Sequence, residues 1–100
     1  MRDLIDKTLQ WGRDRNLIDK TRGLAVEQML KVMAELGEFA DEVASGTREA
    51  QTDELGDTIV TLILTAANLR IDIEDALAVA YEKIKDRKGK RVNGVFVKEA

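Results

Sequence analysis

Four carboxylates at a repeated spacing are the residues of this chain best suited to chemistry. Glu35 with Glu38, and Glu54 with Asp57, form two pairs at i, i+3, so that both members of a pair share one face of a helix. Like charges crowded in this way destabilise a helix unless a cation neutralises them. Because the chain has no His and no Cys, the pairs indicate a hard ion that prefers oxygen ligands, Mg²⁺ or Mn²⁺.

The acidic pairs also have a purely structural interpretation. The first pair lies roughly opposite the apolar stripe through Met33 and Leu36, where an amphipathic helix carries solvated charge. The second pair belongs to a narrow polar strip on an otherwise apolar helix, and burying a carboxylate without a partner is costly. That strip predicts either a Lys or Arg partner or a metal, and it predicts a metal site if the two helices form a hairpin.

The elements that must position these carboxylates are helices. A chain of 100 residues with 44% hydrophobic, 35% charged and 4% aromatic residues and no Pro is typical of one all-α domain, here residues 1–100. Hydrophobic periodicity predicts helices over about 3–13, 21–44, 53–69 and 73–87, with Thr52 and Asp72 as the N-caps of the last two. In the tail, 88–100, the Asn93–Gly94 step favours a tight hairpin turn followed by a short strand at 95–97.

Composition excludes several classes of protein. Without His or Cys there is no imidazole base, thiolate nucleophile or zinc-thiolate site. The N-terminal segment is charged, unlike a secretory signal, and the longest apolar stretch, 58–69, is too short to span a bilayer. We therefore expect a soluble cytoplasmic protein, and the net charge of −3 gives no reason to expect a nucleic-acid polymer as partner.

Basic side chains are the candidate phosphate ligands. Lys83 and Arg87 lie four residues apart on the predicted fourth helix, where they could bind a phosphate chain or simply complement the helix dipole and a solvated tail. Lys31 lies on the face of Glu35, and it forms either an i, i+4 ion pair with Glu35 or a phosphate contact.

Two further residues are candidates for contacts with a base or a sugar. Trp11, the only Trp of the chain, is either a core residue or a platform on which a base stacks. Asn68, on the acidic strip of the third helix, could order a water or a ribose hydroxyl, or it could satisfy a neighbouring backbone group.

The two acidic motifs, E35-L-G-E38 and E54-L-G-D57 with fifteen residues between them, together resemble the ExxE…ExxD signature of the MazG family of nucleotide pyrophosphohydrolases. The similarity extends over most of the chain, including the runs AELGEFADEV, DELGDTIVTLI and RIDIEDAL and the tail KIKDRKGK…GVFVKE. Either acidic pair alone would be a weak signal, whereas the combination is fairly specific.

The resemblance implies an all-α fold in which a hairpin of long helices dimerises into a four-helix core, often with further pairing to tetramers. It also implies Mg²⁺-dependent hydrolysis of an NTP or dNTP to the monophosphate and pyrophosphate. The four carboxylates would then hold the metal, Lys83 and Arg87 would face the phosphates, and the base would lie near Gln10 and Trp11 of the first helix.

Alternative functions stay open at this stage. Within the same superfamily the substrate could be dUTP or phosphoribosyl-ATP. From a different class, the chain could be a non-catalytic helical dimer that serves as an interaction module. A carboxylate-bridged di-iron bundle is disfavoured because such sites normally use Glu-x-x-His, and this chain has no His.

Overall fold

A computed structural model describes residues 1–99 as four helices followed by a β-hairpin. The helices are α1, Arg2–Asp14; α2, Arg22–Ser45; α3, Arg48–Asn68; and α4, Ile73–Ile84. The strands are β1, Gly89–Val92, and β2, Val95–Lys98, which pair antiparallel. The prediction of an all-α fold with a β-hairpin tail is confirmed. Among these helices none combines the length and the apolar character needed to cross a membrane.

The start of α3 differs from the prediction. The helix begins at Arg48 rather than near 53, because Thr47 and not Thr52 is its N-cap: the Thr47 hydroxyl accepts a hydrogen bond from the Ala50 amide at 3.2 Å. Thr52 lies inside the helix, where its hydroxyl donates to the Arg48 carbonyl at 2.8 Å. A Thr within a helix can bond back to the carbonyl four residues earlier, so its presence alone does not mark a helix start.

The end of α4 also differs. Asp72 caps the helix as predicted, since its carboxylate accepts hydrogen bonds from the Glu74 and Asp75 amides. The helix ends at Ile84 rather than at 87, and the chain then turns, with the Arg87 amide donating to the Ile84 carbonyl at 3.0 Å. Arg87 therefore does not share a helix face with Lys83, and the predicted i, i+4 relation between them is wrong.

The core of the fold is the hairpin of α2 and α3, and it is built from an unexpected face of α2. The buried residues of α2 are Ala25, Val32 and Glu35, at the spacing of a helix-packing seam. The apolar stripe points away from α3, and Met33 and Leu36 are 60% and 47% exposed. Buried positions of α3 include Thr and Asn as well as aliphatic residues: Thr58, Thr61, Ile63, Leu64, Thr65, Ala66 and Asn68.

α1 packs closely against α3 at Gly12. A Cβ on this residue would lie 2.5 Å from Leu64 Cδ2, so the buried Leu64 side chain would have to move to accommodate any larger residue. The neighbouring Trp11 is thereby held at the junction of α1 and α3. At the other end of α1, the Arg2 guanidinium reaches Asp72 at 2.8 Å and Glu74 at 3.4 Å, and these ion pairs connect α1 to the start of α4.

α4 and the β-hairpin project from this body. No residue of α4 is buried, and the radius of gyration of 15.8 Å exceeds the roughly 13 Å of a compact chain of 100 residues. The hairpin turn is formed by Asn93 and Gly94, with φ of 50° and 83°, as predicted for a two-residue turn with both φ angles positive.

Candidate functional site

Carboxylates from α2 and α3 converge in two overlapping clusters. One oxygen from each of Glu35, Glu38 and Glu54 lies within 4.8 Å of the others, and Asp53, Glu54 and Asp57 meet the same criterion. Glu54 belongs to both clusters, so it joins the acids of α2 to those of α3. Asp53 was not among the predicted site residues, although its i, i+4 spacing from Asp57 on the same helix is a signal that could have found it.

Two carboxylate oxygens in the first cluster are buried without a partner. Glu35 is only 6% exposed, and among residues 1–99 no donor reaches Glu35 Oε2 or Glu54 Oε2. An unpaired buried polar atom of this kind is costly and rare in folded proteins. Carboxylate oxygens that face each other in this way can act as ligands of a hard divalent cation, so the residues present suit Mg²⁺ or Mn²⁺.

The charges around the cluster shift the pKa values of Glu35 and Glu54 in opposite directions. Lys31 Nζ lies 3.0 Å from Glu35 Oε1, and this contact lowers the pKa of Glu35. The pKa of Glu54 is raised to about 7 by the adjacent carboxylate of Glu35, by burial and by the charge of Glu38. The predicted ion pair of Lys31 with Glu35 is confirmed, and the raised pKa means that Glu54 of the ion-free protein is mostly protonated below about pH 7.

A groove of about 530 Å³ leads from the carboxylates to the indole of Trp11. Glu35, Lys31 and Asp57 line it together with Trp11. A second groove of about 450 Å³ continues past Trp11 and Asp57 along α1. Trp11 is 42% exposed, and the Arg15 guanidinium lies 4.5 Å from the centroid of its ring. The Arg15 guanidinium therefore covers part of the indole. The part of the Trp11 ring that lines the grooves stays accessible.

Gln10 and Asn68 are both engaged elsewhere in the protein. The Gln10 side chain donates to Asp14 at 2.7 Å and accepts from Arg13 at 3.0 Å on the exposed side of α1, and it does not line either groove.

Asn68 is 2% exposed and holds the loop between α1 and α2. Its Oδ1 accepts from the Asp19 and Lys20 amides, and its Nδ2 donates to the Leu17 and Leu64 carbonyls. These four bonds use the full capacity of the side chain. Of the two roles foreseen for Asn68, the structure supports the one in which it satisfies backbone groups.

Lys83 and Arg87 lie outside this site within one chain. Lys83 is in the last turn of α4, Arg87 follows the helix, and both are exposed. Neither residue lines the two grooves next to the carboxylates. Their role as phosphate ligands stays a prediction, and within one chain Lys31 is the only cation that lines the larger groove.

Comparison with known proteins places the clusters in a family. The model of the MazG nucleotide pyrophosphohydrolase domain matches residues 25–92, which include all five clustered acids. The chain is also 33% identical over 72 residues to a protein of Haemophilus phage HP1 (strain HP1c1) described as an uncharacterized 18.2 kDa protein in the rep-hol intergenic region. That similarity covers 72% of this chain and 43% of the phage protein, so this chain spans less than half the length of its relative.

No solved structure matches the chain. Since the matched segment covers two thirds of the sequence and contains the convergent carboxylates, the chain belongs to the MazG nucleotide pyrophosphohydrolase family.

Proposed function

We propose that this protein hydrolyses a nucleoside triphosphate, NTP or dNTP, to the monophosphate and pyrophosphate in a Mg²⁺-dependent reaction. One observation carries the proposal: the oxygens of Glu35, Glu38 and Glu54 lie within 4.8 Å of one another, and two of these carboxylates each bury an unpaired oxygen. Membership of a family of nucleotide pyrophosphohydrolases supports the proposal, because proteins bind polyphosphate chains through divalent cations.

The five clustered carboxylates differ in their exposure to solvent. Glu35 and Glu54 would anchor Mg²⁺, or Mn²⁺ in its place, and Glu38 and Asp57 would complete the ligand set, with Asp53 as a further donor. The ion, when bound, supplies positive charge to the phosphate oxygens and makes a bound water more acidic. Glu38, Asp53 and Asp57 are exposed, so their free oxygens can accept hydrogen bonds from an attacking water and orient it.

The groove between Glu35 and Trp11 has the size for a nucleotide. Its volume of about 530 Å³ falls within the range of small-molecule sites, roughly 300–1,000 Å³. In this arrangement the triphosphate lies at the carboxylates and the base reaches the accessible part of the Trp11 ring. Lys31, which lines this groove beside Glu35, is one cation available to a phosphate oxygen, and Lys83 and Arg87 are the further phosphate ligands we propose.

The protein should act as a homo-oligomer, a dimer or a tetramer. The outward faces of both long helices are apolar, with Met33 and Leu36 on α2 and Ile59 and Leu62 on α3 each at least 39% exposed. Large exposed apolar surface is uncommon on monomers. Packing the α2–α3 hairpins of two copies face to face would bury this surface in a four-helix core.

A panel of substrates tests the proposed activity. Purified protein is incubated with Mg²⁺ and each common NTP and dNTP, and with dUTP and phosphoribosyl-ATP, and the products are separated by ion exchange. We expect a monophosphate and pyrophosphate in equal amounts. If Mg²⁺ raises the melting temperature while no compound in the panel is cleaved, the protein is a non-catalytic module instead.

A further inference from the structure

The second groove, of about 450 Å³, runs along a single face of α1. Four of its lining residues follow one another at spacings of three and one on that face: Leu4, Lys7, Thr8 and Trp11. α3 contributes Asp57 and Val60 to the lining. Apart from Lys7, Thr8 and Asp57, the lining side chains are apolar or aromatic. Because a nucleotide base has apolar faces and polar edges, a groove with apolar walls and a few polar groups suits a base.

The Lys7 ammonium group is a hydrogen-bond donor without an ionic partner in its own chain. Among residues 1–99 no carboxylate forms an ion pair with it, whereas Lys31 in the larger groove pairs with Glu35 at 3.0 Å. An ammonium group has three N–H donors and no acceptor. A ligand that reaches Lys7 therefore meets donors only.

The neighbouring Thr8 hydroxyl has the opposite character. Thr8 Oγ1 donates its proton to the Leu4 carbonyl, one helical turn earlier, at 2.8 Å. A hydroxyl has one proton and two lone pairs, so this oxygen is left with acceptor capacity for a ligand. Adjacent positions of α1 thus present a donor at Lys7 and an acceptor at Thr8.

A donor next to an acceptor distinguishes two classes of base. Uracil, thymine, guanine and hypoxanthine, the keto bases, carry a ring carbonyl next to a ring N–H. Cytosine and adenine, the amino bases, carry an amino group next to a ring nitrogen with a lone pair, so that donor and acceptor are exchanged. A keto base complements both Lys7 and Thr8, whereas an amino base sets donor against donor and acceptor against acceptor.

We propose that Lys7 and Thr8 bind the edge of the base and make this protein selective for nucleotides with a keto base. Asp57 lines both grooves, so phosphates held at the carboxylates place the sugar near Asp57 and the base in the second groove beside Trp11. Lys7 then donates to the carbonyl, and Thr8 Oγ1 accepts from the neighbouring ring N–H. This inference rests on the proposed function for the position of the phosphates.

Pairs of substrates that differ only at this edge of the base test the selectivity. The pairs are ITP with ATP, and dUTP with dCTP, each assayed with Mg²⁺. Wild-type kcat/KM should favour the keto member of both pairs by at least about tenfold, because an unmatched polar group in a binding site costs roughly that factor or more. Equal values, or a preference for ATP and dCTP, overturn the proposal.

Two variants separate recognition of the base from a general effect of charge. Lys7→Gln has an amide that can donate or accept, so the ratio of kcat/KM for ITP to that for ATP should fall toward one. Thr8→Val, which has no acceptor, should lower the same ratio. If Lys7 contacted a phosphate instead, Lys7→Gln would weaken both substrates equally and leave the ratio unchanged, and this result would also overturn the proposal.

Matched controls make the same changes outside the two grooves. Lys20→Gln removes an exposed ammonium group, and Thr52→Val removes a hydroxyl that bonds to the carbonyl four residues earlier, as Thr8 does, at 2.8 Å. Neither residue lines the grooves next to the carboxylates. Both variants should keep the wild-type ratio, and a fall in these variants as large as in Lys7→Gln counts against the proposal.

Binding of monophosphates tests the selectivity without turnover. The fluorescence of Trp11, the only Trp, is titrated with IMP and with AMP in the presence of Mg²⁺. IMP should bind the wild-type protein at least about tenfold more tightly than AMP, and Lys7→Gln should lose this difference. If no triphosphate is cleaved, the proposed function fails, while the IMP and AMP titrations still decide the selectivity. Equal affinities of the wild-type protein for IMP and AMP overturn this inference even when triphosphates are cleaved.

Discussion

Glu35 of α2 and Glu54 of α3 face each other across the helical hairpin, and each buries an Oε2 atom that no donor among residues 1–99 contacts. Their acidities diverge: Lys31 lowers the pKa of Glu35, while the pKa of Glu54 rises to about 7 beside it. Two buried carboxylates so close together cannot both be ionised without compensation. A proton on Glu54 compensates in the ion-free protein, and a divalent cation would replace that proton.

The first prediction concerns stabilisation by the cation. Mg²⁺ should raise the melting temperature of the wild-type protein, because a ligand that binds only the folded state stabilises it by about 2.7 kcal/mol at a hundredfold excess over Kd. Glu54→Gln should lose most of this shift. The measurement is a thermal melt at increasing MgCl₂ and constant ionic strength. Glu49→Gln, an exposed acid at the start of α3, is the matched control, and equal shifts in both variants would contradict the assignment.

The second prediction concerns pH. The folded-state pKa of Glu54, about 7, lies above the ordinary value of 4.5, so between these values the folded protein binds more protons than the unfolded chain. The stability of the ion-free protein attributable to this group therefore falls as pH rises from 4.5 to about 7 and is constant above that. Glu54→Gln should flatten the dependence in this window. Urea melts in EDTA at a series of pH values measure it, and an unchanged slope in the variant would argue against a raised pKa.

A corollary of the second prediction is that the affinity for Mg²⁺ should change with pH in the opposite direction. Because metal and proton compete for Glu54, affinity should increase from pH 5 to about 7 and then level off. Isothermal titration calorimetry in two buffers of different ionisation enthalpy would detect the proton that is released. Binding that is independent of pH and releases no proton would show that Glu54 is not a ligand.

The shared face of the second acidic pair and the hairpin turn could be predicted from the sequence, whereas the burial of Glu35 could not. The i, i+3 spacing was sufficient to predict that Glu54 and Asp57 share a face, and Asn93–Gly94 was sufficient to predict the hairpin. The burial of Glu35 could not be predicted, because a hydrophobic pattern identifies an apolar face of α2 but not which surface covers it. In the single chain that face is exposed, with Met33 60% exposed, and Glu35 lies on the inner seam at 6%.

The misplaced residues have local physical reasons. The sequence predicts Thr52 as the cap of α3 because Thr caps helices well. In the structure Thr47 caps the helix five residues earlier, so that Asp53 lies inside the helix beside Glu54. Hydrophobic periodicity predicts that α4 extends to residue 87, whereas the helix ends at Ile84. For Asn68 the sequence left two roles open, and the choice depended on the loop at Leu17–Lys20, which no local pattern predicts.

A third prediction concerns the structural role of Asn68. Asn68→Asp keeps the shape of the side chain but removes both donors, so the Leu17 and Leu64 carbonyls lose their partner. We expect a loss of about 2–4 kcal/mol in the free energy of unfolding, because two hydrogen bonds to buried carbonyls are lost and each unsatisfied buried group costs roughly 1–3 kcal/mol. Urea denaturation measures it. Gln10→Glu, the same change on the exposed side of α1, should cost less than about 1 kcal/mol, and a similar cost in both variants would contradict this role.

A fourth prediction concerns the base. Trp11→Ala should raise KM for the best substrate by about tenfold or more, since stacking on an aromatic ring is worth roughly 1–3 kcal/mol, and it should change kcat little. Trp11→Phe should recover most of the loss. As Trp11 is the only tryptophan, its fluorescence should respond to a nucleotide and not to pyrophosphate alone. If Trp11→Ala keeps the wild-type KM, the base lies elsewhere.

The central claim is that the carboxylate cluster performs metal-dependent hydrolysis of a triphosphate. The most direct measurement follows the phosphorus NMR spectrum of a reaction with the best substrate of the panel, with Mg²⁺ or with EDTA, for wild-type protein, Glu54→Gln and Glu49→Gln. We predict pyrophosphate and monophosphate in equal amounts from the wild-type protein and Glu49→Gln with Mg²⁺, and none from Glu54→Gln or in EDTA. Release of inorganic phosphate with a diphosphate, or full activity of folded Glu54→Gln, would contradict it.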